Sequence, residues 1–155
     1  MKKLLITFSV ALISLSAAAF VSAQQKRLVG NLNNNDRADG CGCYASFNKA
    51  NDNARRFIFF SSDEDNDNDA WMNISGRDTK LRLVKETNPK GKLKRGSRFT
   101  DRYSAGDITI DVVRIVTRVC PPRDEGCEVT DFATTFTVKK GNRTQVVQAV
   151  GSCGC

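Results

Sequence analysis

The chain has 155 residues, a formal net charge of +7 and no histidine. The absence of histidine excludes Ser-His and Cys-His nucleophile pairs, histidine general bases and histidine-ligated metal sites. A carboxylate-based hydrolase stays open in principle, but acidic pairs alone do not indicate one. We therefore expect a protein that is not an enzyme. The modest positive charge favours attraction to anionic surfaces without identifying a partner.

The N-terminal segment has the three parts of a bacterial export signal. Lys2 and Lys3 supply the positive start, residues 4–20 form an apolar run, and residues 21–23 provide the small side chains before a cleavage site. We predict that residues 1–23 are removed, which leaves no membrane span in the mature chain. The mature protein is then periplasmic or extracellular, where nucleic acid is not an expected partner.

The remaining sequence divides into a leader and one domain. Residues 24–40 are polar and rich in asparagine, which predicts a flexible leader, and residues 41–155 are long enough for a single β domain. Short β-branched and aromatic runs alternate with turn residues, and no segment shows helical periodicity. This pattern predicts an all-β fold, an antiparallel β-sandwich or small barrel of about eight strands. The predicted strands are 41–48, 55–61, 70–75, 79–86, 97–103, 107–120, 128–140 and 143–152.

The last three predicted strands form a meander. Residues 141–142 are Gly-Asn between two β-type runs, which is the signal of a two-residue hairpin turn. A tight turn at this place sets the register of the two strands. It places Phe136 opposite Val147, and Thr134 opposite Ala149.

A second hairpin is predicted between the flanking cysteines Cys120 and Cys127. If these two residues lie opposite each other, Ile115 faces Phe132. The alternation of apolar residues slips by one position at Val112-Val113. A β-bulge there would return the isoleucines of the first half of the strand to the inner face, so we predict a bulge.

Six cysteines in an exported domain predict three disulfides, which we expect to hold the β domain together. The hairpin register assigns one of them to Cys120 and Cys127. The other four lie in two Cys-Gly-Cys elements near the two ends of the domain, and three pairings are open for them. These four residues are Cys41, Cys43, Cys153 and Cys155.

Each Cys-Gly-Cys element presents two sulfur atoms on one face of an extended strand. The favoured interpretation is a double cross-link between the first and last strands of the domain. The alternative is a site in which all four thiolates bind Zn²⁺ or Cu⁺. A disulfide within each element, suited to redox exchange, is the third alternative.

Two loops carry opposite charges. The sequence 63–69 has acids at every second position, as calcium loops do, but lacks the glycine at the sixth position and the glutamate at the twelfth. A solvated turn is therefore favoured over calcium binding, and the following Trp71 is expected to be a core residue. The alternative calcium ligands are Asp63, Asp65, Asp67 and Asp69.

The second loop is basic. Residues 76–103 contain ten basic and three acidic residues, and an ordinary exposed loop is favoured over an anion-binding patch. The patch would bind an anionic envelope polymer, a phosphate-bearing lipid or an acidic protein, or it would pair with the acidic loop. Its residues are Lys90, Lys92, Lys94, Arg95 and Arg98.

These patterns favour an exported bacterial protein of the envelope or the extracellular space, with a binding or structural role and no cofactor. A copper- or zinc-binding protein with four thiolate ligands is the first alternative. A calcium-dependent module for adhesion or polysaccharide binding is the second.

Overall fold

The computed structural model describes residues 27–36, 40–62, 69–121 and 126–155. These residues form nine strands and one short helix. The strands are β1 Val29–Gly30, β2 Gly42–Ser46, β3 Phe59–Ser62, β4 Asp69–Ile74, β5 Arg77–Thr87, β6 Arg98–Ala105, β7 Ile108–Arg118, β8 Thr130–Lys140 and β9 Arg143–Gly154, and the helix α1 is Lys49–Asn53.

Strands β2 to β9 form a closed antiparallel barrel. Each strand pairs with the next one along the chain, and β9 pairs with β2 to complete the circle. The predicted all-β fold of about eight strands with a C-terminal meander is confirmed, and it is a barrel rather than a sandwich. A barrel of eight strands has an interior that side chains can fill or that can hold one small ligand.

The two ends of the barrel differ because consecutive antiparallel strands alternate in direction. We call the base the end at which the tight turns β4–β5, β6–β7 and β8–β9 lie. We call the mouth the opposite end, where β3, β5, β7 and β9 end and where β2, β4, β6 and β8 begin. Both Cys-Gly-Cys elements lie at the mouth.

The N-terminal segment seals the base. Leu28 and Val29 are buried in the barrel core, and their backbone N–H groups donate to Oε1 of Gln145 at 2.6 and 3.2 Å. Strand β1 lies beside Asn73 and Ile74, on the edge of β4 that β3 leaves open. The described part of the predicted flexible leader is therefore packed, because its few apolar side chains cover the open end of the core.

A second apolar cluster lies on the outer surface of the barrel. Leu32, Phe57 and Phe60 are buried there, and Tyr44 and Trp71 are partly buried against them. The single tryptophan is thus a core residue of this outer cluster and not of the barrel interior. The reason is its position on β4, where it alternates with the inward-facing Ala70 and Met72.

The connection between β2 and β3 contains the helix α1, which the sequence pattern did not indicate. Asn48 caps its N-terminus by accepting a hydrogen bond from the Asn51 backbone N–H at 2.9 Å. No residue of α1 is buried, so the helix has no apolar periodicity to detect. The first predicted strand accordingly ends at Ser46 instead of residue 48.

The predicted register of β8 and β9 is confirmed. Phe136 lies opposite Val147, and Thr134 lies opposite Ala149. The side chains of Phe136 and Ala149 are buried in the barrel interior. The turn residues 141–142 therefore determine this register, as expected.

The predicted register of β7 and β8 is wrong by one residue. Phe132 lies opposite Val116 rather than Ile115, and the irregularity falls between Val116 and Arg118 rather than at residues 112–113. The strand stays regular through residues 112–113, so Ile115 points outward with 41% of its surface exposed. The apparent slip arises because a charged residue, Arg114, takes an inward position.

Candidate functional site

The mouth of the barrel is cross-linked where β2 meets β9. Cys43 lies directly opposite Cys153, and their sulfur atoms are bonded; Cys41 is bonded to Cys155. The favoured prediction of a double cross-link between the first and last barrel strands is confirmed. Sulfur atoms joined in disulfides are not thiolate ligands, so the alternative four-cysteine metal site does not exist in this state.

The glycines within the two Cys-Gly-Cys elements allow neighbouring backbone to approach closely. A Cβ atom on Gly42 would lie 2.2 Å from the carbonyl oxygen of Ser61, and one on Gly154 would lie 2.1 Å from that of Glu128. Gly42 and Gly154 lie opposite each other between the two disulfides. The repeated element is therefore explained by close packing on both sides of the cross-linked strands.

The third disulfide joins Cys120 and Cys127, as predicted. Strand β7 ends at Arg118 and β8 begins at Thr130, so both cysteines lie outside the paired strands. The Sγ atom of Cys120 lies 3.4 Å from the carbonyl oxygen of Val129. This bond therefore closes the loop after β7 without setting the strand register.

Arg114 is the residue that sequence reasoning missed. Its Nη2 donates to Oδ2 of Asp101 at 2.5 Å, and its Nη1 lies 2.9 Å from Sγ of Cys43 and 3.3 Å from Sγ of Cys153. Only 16% of the arginine side chain and 3% of the aspartate side chain are exposed. The sequence signal that could have identified Arg114 is an unbroken alternation of inward residues at 108, 110, 112, 114 and 116. Accepting this alternation means placing an arginine at an inner position of the barrel.

Two aromatic rings hold the guanidinium in place. The carbon atom Cζ of Arg114 lies 5.5 Å from the ring centre of Phe99 and 5.7 Å from that of Phe132. These distances allow cation–π attraction, which strengthens when water is excluded. The Nε atom of Arg114 is buried and has no hydrogen-bond partner among the described residues. The contacts of Arg114 thus come from two aromatic rings, one carboxylate and one disulfide.

Burial changes the acid–base behaviour of the neighbouring side chains. Burial raises the pKa of the Asp101 carboxyl above its ordinary value, and the Arg114 cation opposes this shift only in part. Burial also raises the pKa of the Tyr103 phenol to about 12, and the Asp101 carboxylate adds to that shift. These shifts identify a partly desolvated polar site inside an otherwise apolar barrel.

A cavity of about 110 Å³ adjoins this polar site at the mouth. Its wall includes Cys43 and Arg114 together with three acidic side chains. Two of these acids are paired, Asp101 with Arg114 and Asp69 with Lys80, and Glu86 accepts a hydrogen bond from the neutral amide of Asn88 at 3.2 Å. The cavity therefore carries an excess of negative charge. The three acids are Asp69, Glu86 and Asp101.

The predicted basic patch lies at the mouth, in the loop between β5 and β6 and at the start of β6. All five of its predicted residues are exposed. None forms an ion pair with another described residue. The patch consists of Lys90, Lys92, Lys94, Arg95 and Arg98.

The predicted calcium ligands are only partly visible in the structure. Asp63, Asp65 and Asp67 lie outside the described residues, while Asp69 begins β4 and pairs with Lys80. Within the described ranges, no group of three or more acidic or cysteine side chains is arranged to hold a metal ion. Calcium binding stays an untested alternative.

Comparison of the chain with protein-family models, with curated protein sequences and with solved structures found no match. In the described part of the chain, no helix has the length and apolar character needed to cross a membrane. A disulfide-rich β-barrel of this kind is consistent with a binding or structural role.

Proposed function

We propose that the protein is exported, forms its three disulfides outside the cytoplasm and binds an anionic envelope polymer, without acting as an enzyme. The binding surface is the outer face of the hairpin formed by β5 and β6. The observation that carries this proposal is the separation of charge within that hairpin. The basic residues of its loop are exposed, and two of its three acidic residues, Asp78 and Asp101, are held by partners outside the loop.

Three contacts account for the acidic residues of the hairpin. Asp101 is buried inside the barrel against Arg114. Asp78 accepts hydrogen bonds from the backbone N–H groups of Asn33 and Asn34 at 2.9 to 3.0 Å. Glu86 lines the cavity at the mouth. Glu86 is the one acid of the hairpin that contacts the loop, through Asn88, so the five basic residues of the patch leave a net positive charge there.

A groove of about 290 Å³ adjoins this basic surface along the barrel wall, and its lining includes two cations and the two acidic residues Asp101 and Asp111. The cations of its lining are Lys85 and Arg102, and Thr87 and Thr100 also belong to the lining. Arg102 also forms an ion pair with Asp111, because its Nε donates to Oδ1 of that residue at 2.6 Å. A polymer that carries phosphate, sulfate or carboxylate groups would find both cations and hydroxyl donors here.

Export is supported by two independent features. The first 23 residues have the pattern of a cleaved signal, and disulfides persist in the periplasm and outside the cell rather than in the cytosol. Protein expressed in a bacterium should be recovered from the periplasm or medium with residue 24 at its N-terminus. Thiol titration after denaturation should find no free cysteine, and four reactive thiols would contradict this proposal.

Retention on a phosphorylated or sulfated resin tests the binding surface. Replacing Lys92, Lys94 and Arg95 together with alanine should weaken binding to the resin roughly tenfold or more and reduce its dependence on salt. The matched control replaces three exposed basic residues elsewhere with alanine and should be retained as before. These control residues are Arg27, Arg56 and Lys139.

The outcome distinguishes the polymer from other partners. Equal loss in both triple variants would show that net charge alone causes retention, and unchanged retention of the loop variant would exclude the proposed surface. Competition by a soluble anionic polysaccharide supports the proposal. Competition only by an acidic protein would overturn the choice of partner.

A further inference from the structure

The Cys43–Cys153 disulfide has a permanent cation in contact with both of its sulfur atoms. The Nη1 atom of Arg114 lies 2.9 Å from one sulfur and 3.3 Å from the other. A neighbouring arginine lowers the pKa of a cysteine thiol, because it stabilises the thiolate. In thiol–disulfide exchange, a sulfur that is stable as a thiolate is also the better leaving group.

The Cys120–Cys127 disulfide lacks this arrangement in the described contacts. Among the described residues, the two sulfur atoms approach the carbonyl oxygen of Val129, a partial negative charge that does not favour a thiolate. Cys155 is exposed at the rim of the mouth, where water screens nearby charges. The pair next to Arg114 therefore differs electrostatically from Cys120–Cys127 in the described contacts.

The cation at this disulfide is fixed in position and in charge. Arginine stays protonated under all relevant conditions. Phe99 and Phe132 flank the guanidinium, and Asp101 holds its Nη2 atom at 2.5 Å. The Nη1 group consequently remains directed at the sulfur atoms, so it is present when a thiolate forms.

Only 9% of Cys43 is exposed, so a small reagent would reach the disulfide through the cavity at the mouth. Cys43 forms part of the wall of the 110 Å³ cavity. Inside the cavity, the excess negative charge of the wall, left by Glu86, opposes an anionic reagent at short range, whereas the basic loop at the same mouth attracts anions outside the cavity. The cavity thus favours small thiols that are neutral or carry an amine over thiols that carry a carboxylate.

We infer that the Cys43–Cys153 disulfide is an exchange site that oxidises small aliphatic aminothiols. The thiolate of one aminothiol attacks Sγ of Cys43, the disulfide bond breaks, and Cys153 leaves as a thiolate beside Arg114. A second aminothiol attacks the sulfur of the first, which releases the aminothiol disulfide and leaves Cys43 as a thiolate. Two thiols are oxidised and one protein disulfide is reduced, so the reaction is stoichiometric. The barrel stays closed through Cys41–Cys155.

Exchange with cysteamine provides the test, and it does not depend on polymer binding. The oxidised full-length mature protein is mixed with cysteamine, quenched with a maleimide and digested, and each disulfide is quantified by mass spectrometry. Cys43–Cys153 should open faster than Cys120–Cys127. Replacing Arg114 with methionine should slow this opening by about tenfold, while Arg114→Lys should retain most of the rate.

Arg118→Met is the matched control, since Arg118 lies on the same strand but pairs with Asp131 on the outer surface. Its exchange rate should equal that of the unmodified protein. If Cys43–Cys153 opened in Arg114→Met as fast as in the unmodified protein, the inference would be overturned. Opening of Cys43–Cys153 at the rate of global unfolding, measured in parallel by protease sensitivity, would also overturn it.

The charge of the cavity gives a second readout. At equal thiolate concentration, cysteamine should open Cys43–Cys153 faster than 3-mercaptopropionate does, while Cys120–Cys127 should show a smaller preference. Equal preferences at the two disulfides would contradict the proposed route through the cavity.

A third readout remains available if the Arg114 variants fail to fold. In protein opened only at Cys43–Cys153, the alkylation rate of Cys153 should reach half its maximum at a pH below about 8.5, the ordinary thiol value. The charged and titratable groups facing this site are Arg114 from β7, Asp101 and Tyr103 from β6, Glu86 from β5 and Asp69 from β4. A midpoint at the ordinary value would overturn the inference.

Discussion

The two ends of the barrel are built from different interactions. At the base, Leu28 and Val29 from the N-terminal segment close the opening with apolar side chains, and Gln145 accepts their backbone hydrogen bonds. At the mouth, the interior instead contains the Arg114–Asp101 ion pair, and disulfides connect the strands around it. Burial holds one end together, and covalent bonds hold the other.

This difference shows where a small barrel can tolerate polar side chains in its interior. A buried ion pair loses hydration, which offsets much of the attraction between its charges. Two disulfides next to the pair restrict separation of β2 from β9, so the strands stay closed around a site that contributes little apolar burial.

The largest expected effect comes from removing both disulfides between β2 and β9. A disulfide that closes a loop of more than a hundred residues stabilises a protein by about 5 kcal/mol in the chain-entropy description. Replacing Cys41, Cys43, Cys153 and Cys155 together with serine should lower the free energy of unfolding by this order. Either pair alone should cost far less, because the remaining bond still closes the loop. Urea unfolding of the three variants measures this non-additivity, and equal additive losses would contradict it.

The base should respond to loss of apolar packing. Leu28 is 2% exposed, and Leu28→Ala should lower the free energy of unfolding by about 3 kcal/mol through lost burial and an added cavity. This loss should be the same at pH 4 and pH 7 and unaffected by mild reductant. A strong dependence on either condition would show that the two ends are not energetically separate.

The smallest effect concerns the pH dependence of two carboxyls near the mouth. The pKa of Asp101 is raised by burial, so between its unfolded and folded values the folded state binds more protons and loses stability as pH rises. Relative to the unmodified protein, Asp101→Asn should therefore gain stability as pH increases through this window. The measurement is the urea midpoint at several pH values from 3 to 7.

Asp131 provides a control, because its pKa is shifted in the direction opposite to that of Asp101. The hydrogen bond from Arg118 lowers the pKa of Asp131, so its contribution is present above the unfolded value and is lost as pH falls through the folded value. Asp131→Asn should thus lose stability relative to the unmodified protein as pH rises. Parallel pH trends in the two variants would show that the interior and exterior carboxyls do not differ as described.

The sequence predicted most strands because their side chains alternate and turn residues separate them. Residues 141–142 even set the register of β8 and β9, since a two-residue turn leaves only one pairing. The alternation failed at Arg114. A charged side chain at an inner position suggests a change of face unless its partners are known, and the partners Cys43 and Cys153 are distant in sequence.

Local patterns by themselves determined that this chain forms antiparallel strands, that its cysteines pair and that its basic residues gather in one loop. Only the tertiary structure decided that the strands close into a barrel and that the N-terminal segment seals its base. It also decided that Arg114 contacts the Cys43–Cys153 disulfide. The physical reason is that strand formation depends on neighbouring residues, whereas burial of a charge depends on partners that folding brings from other strands.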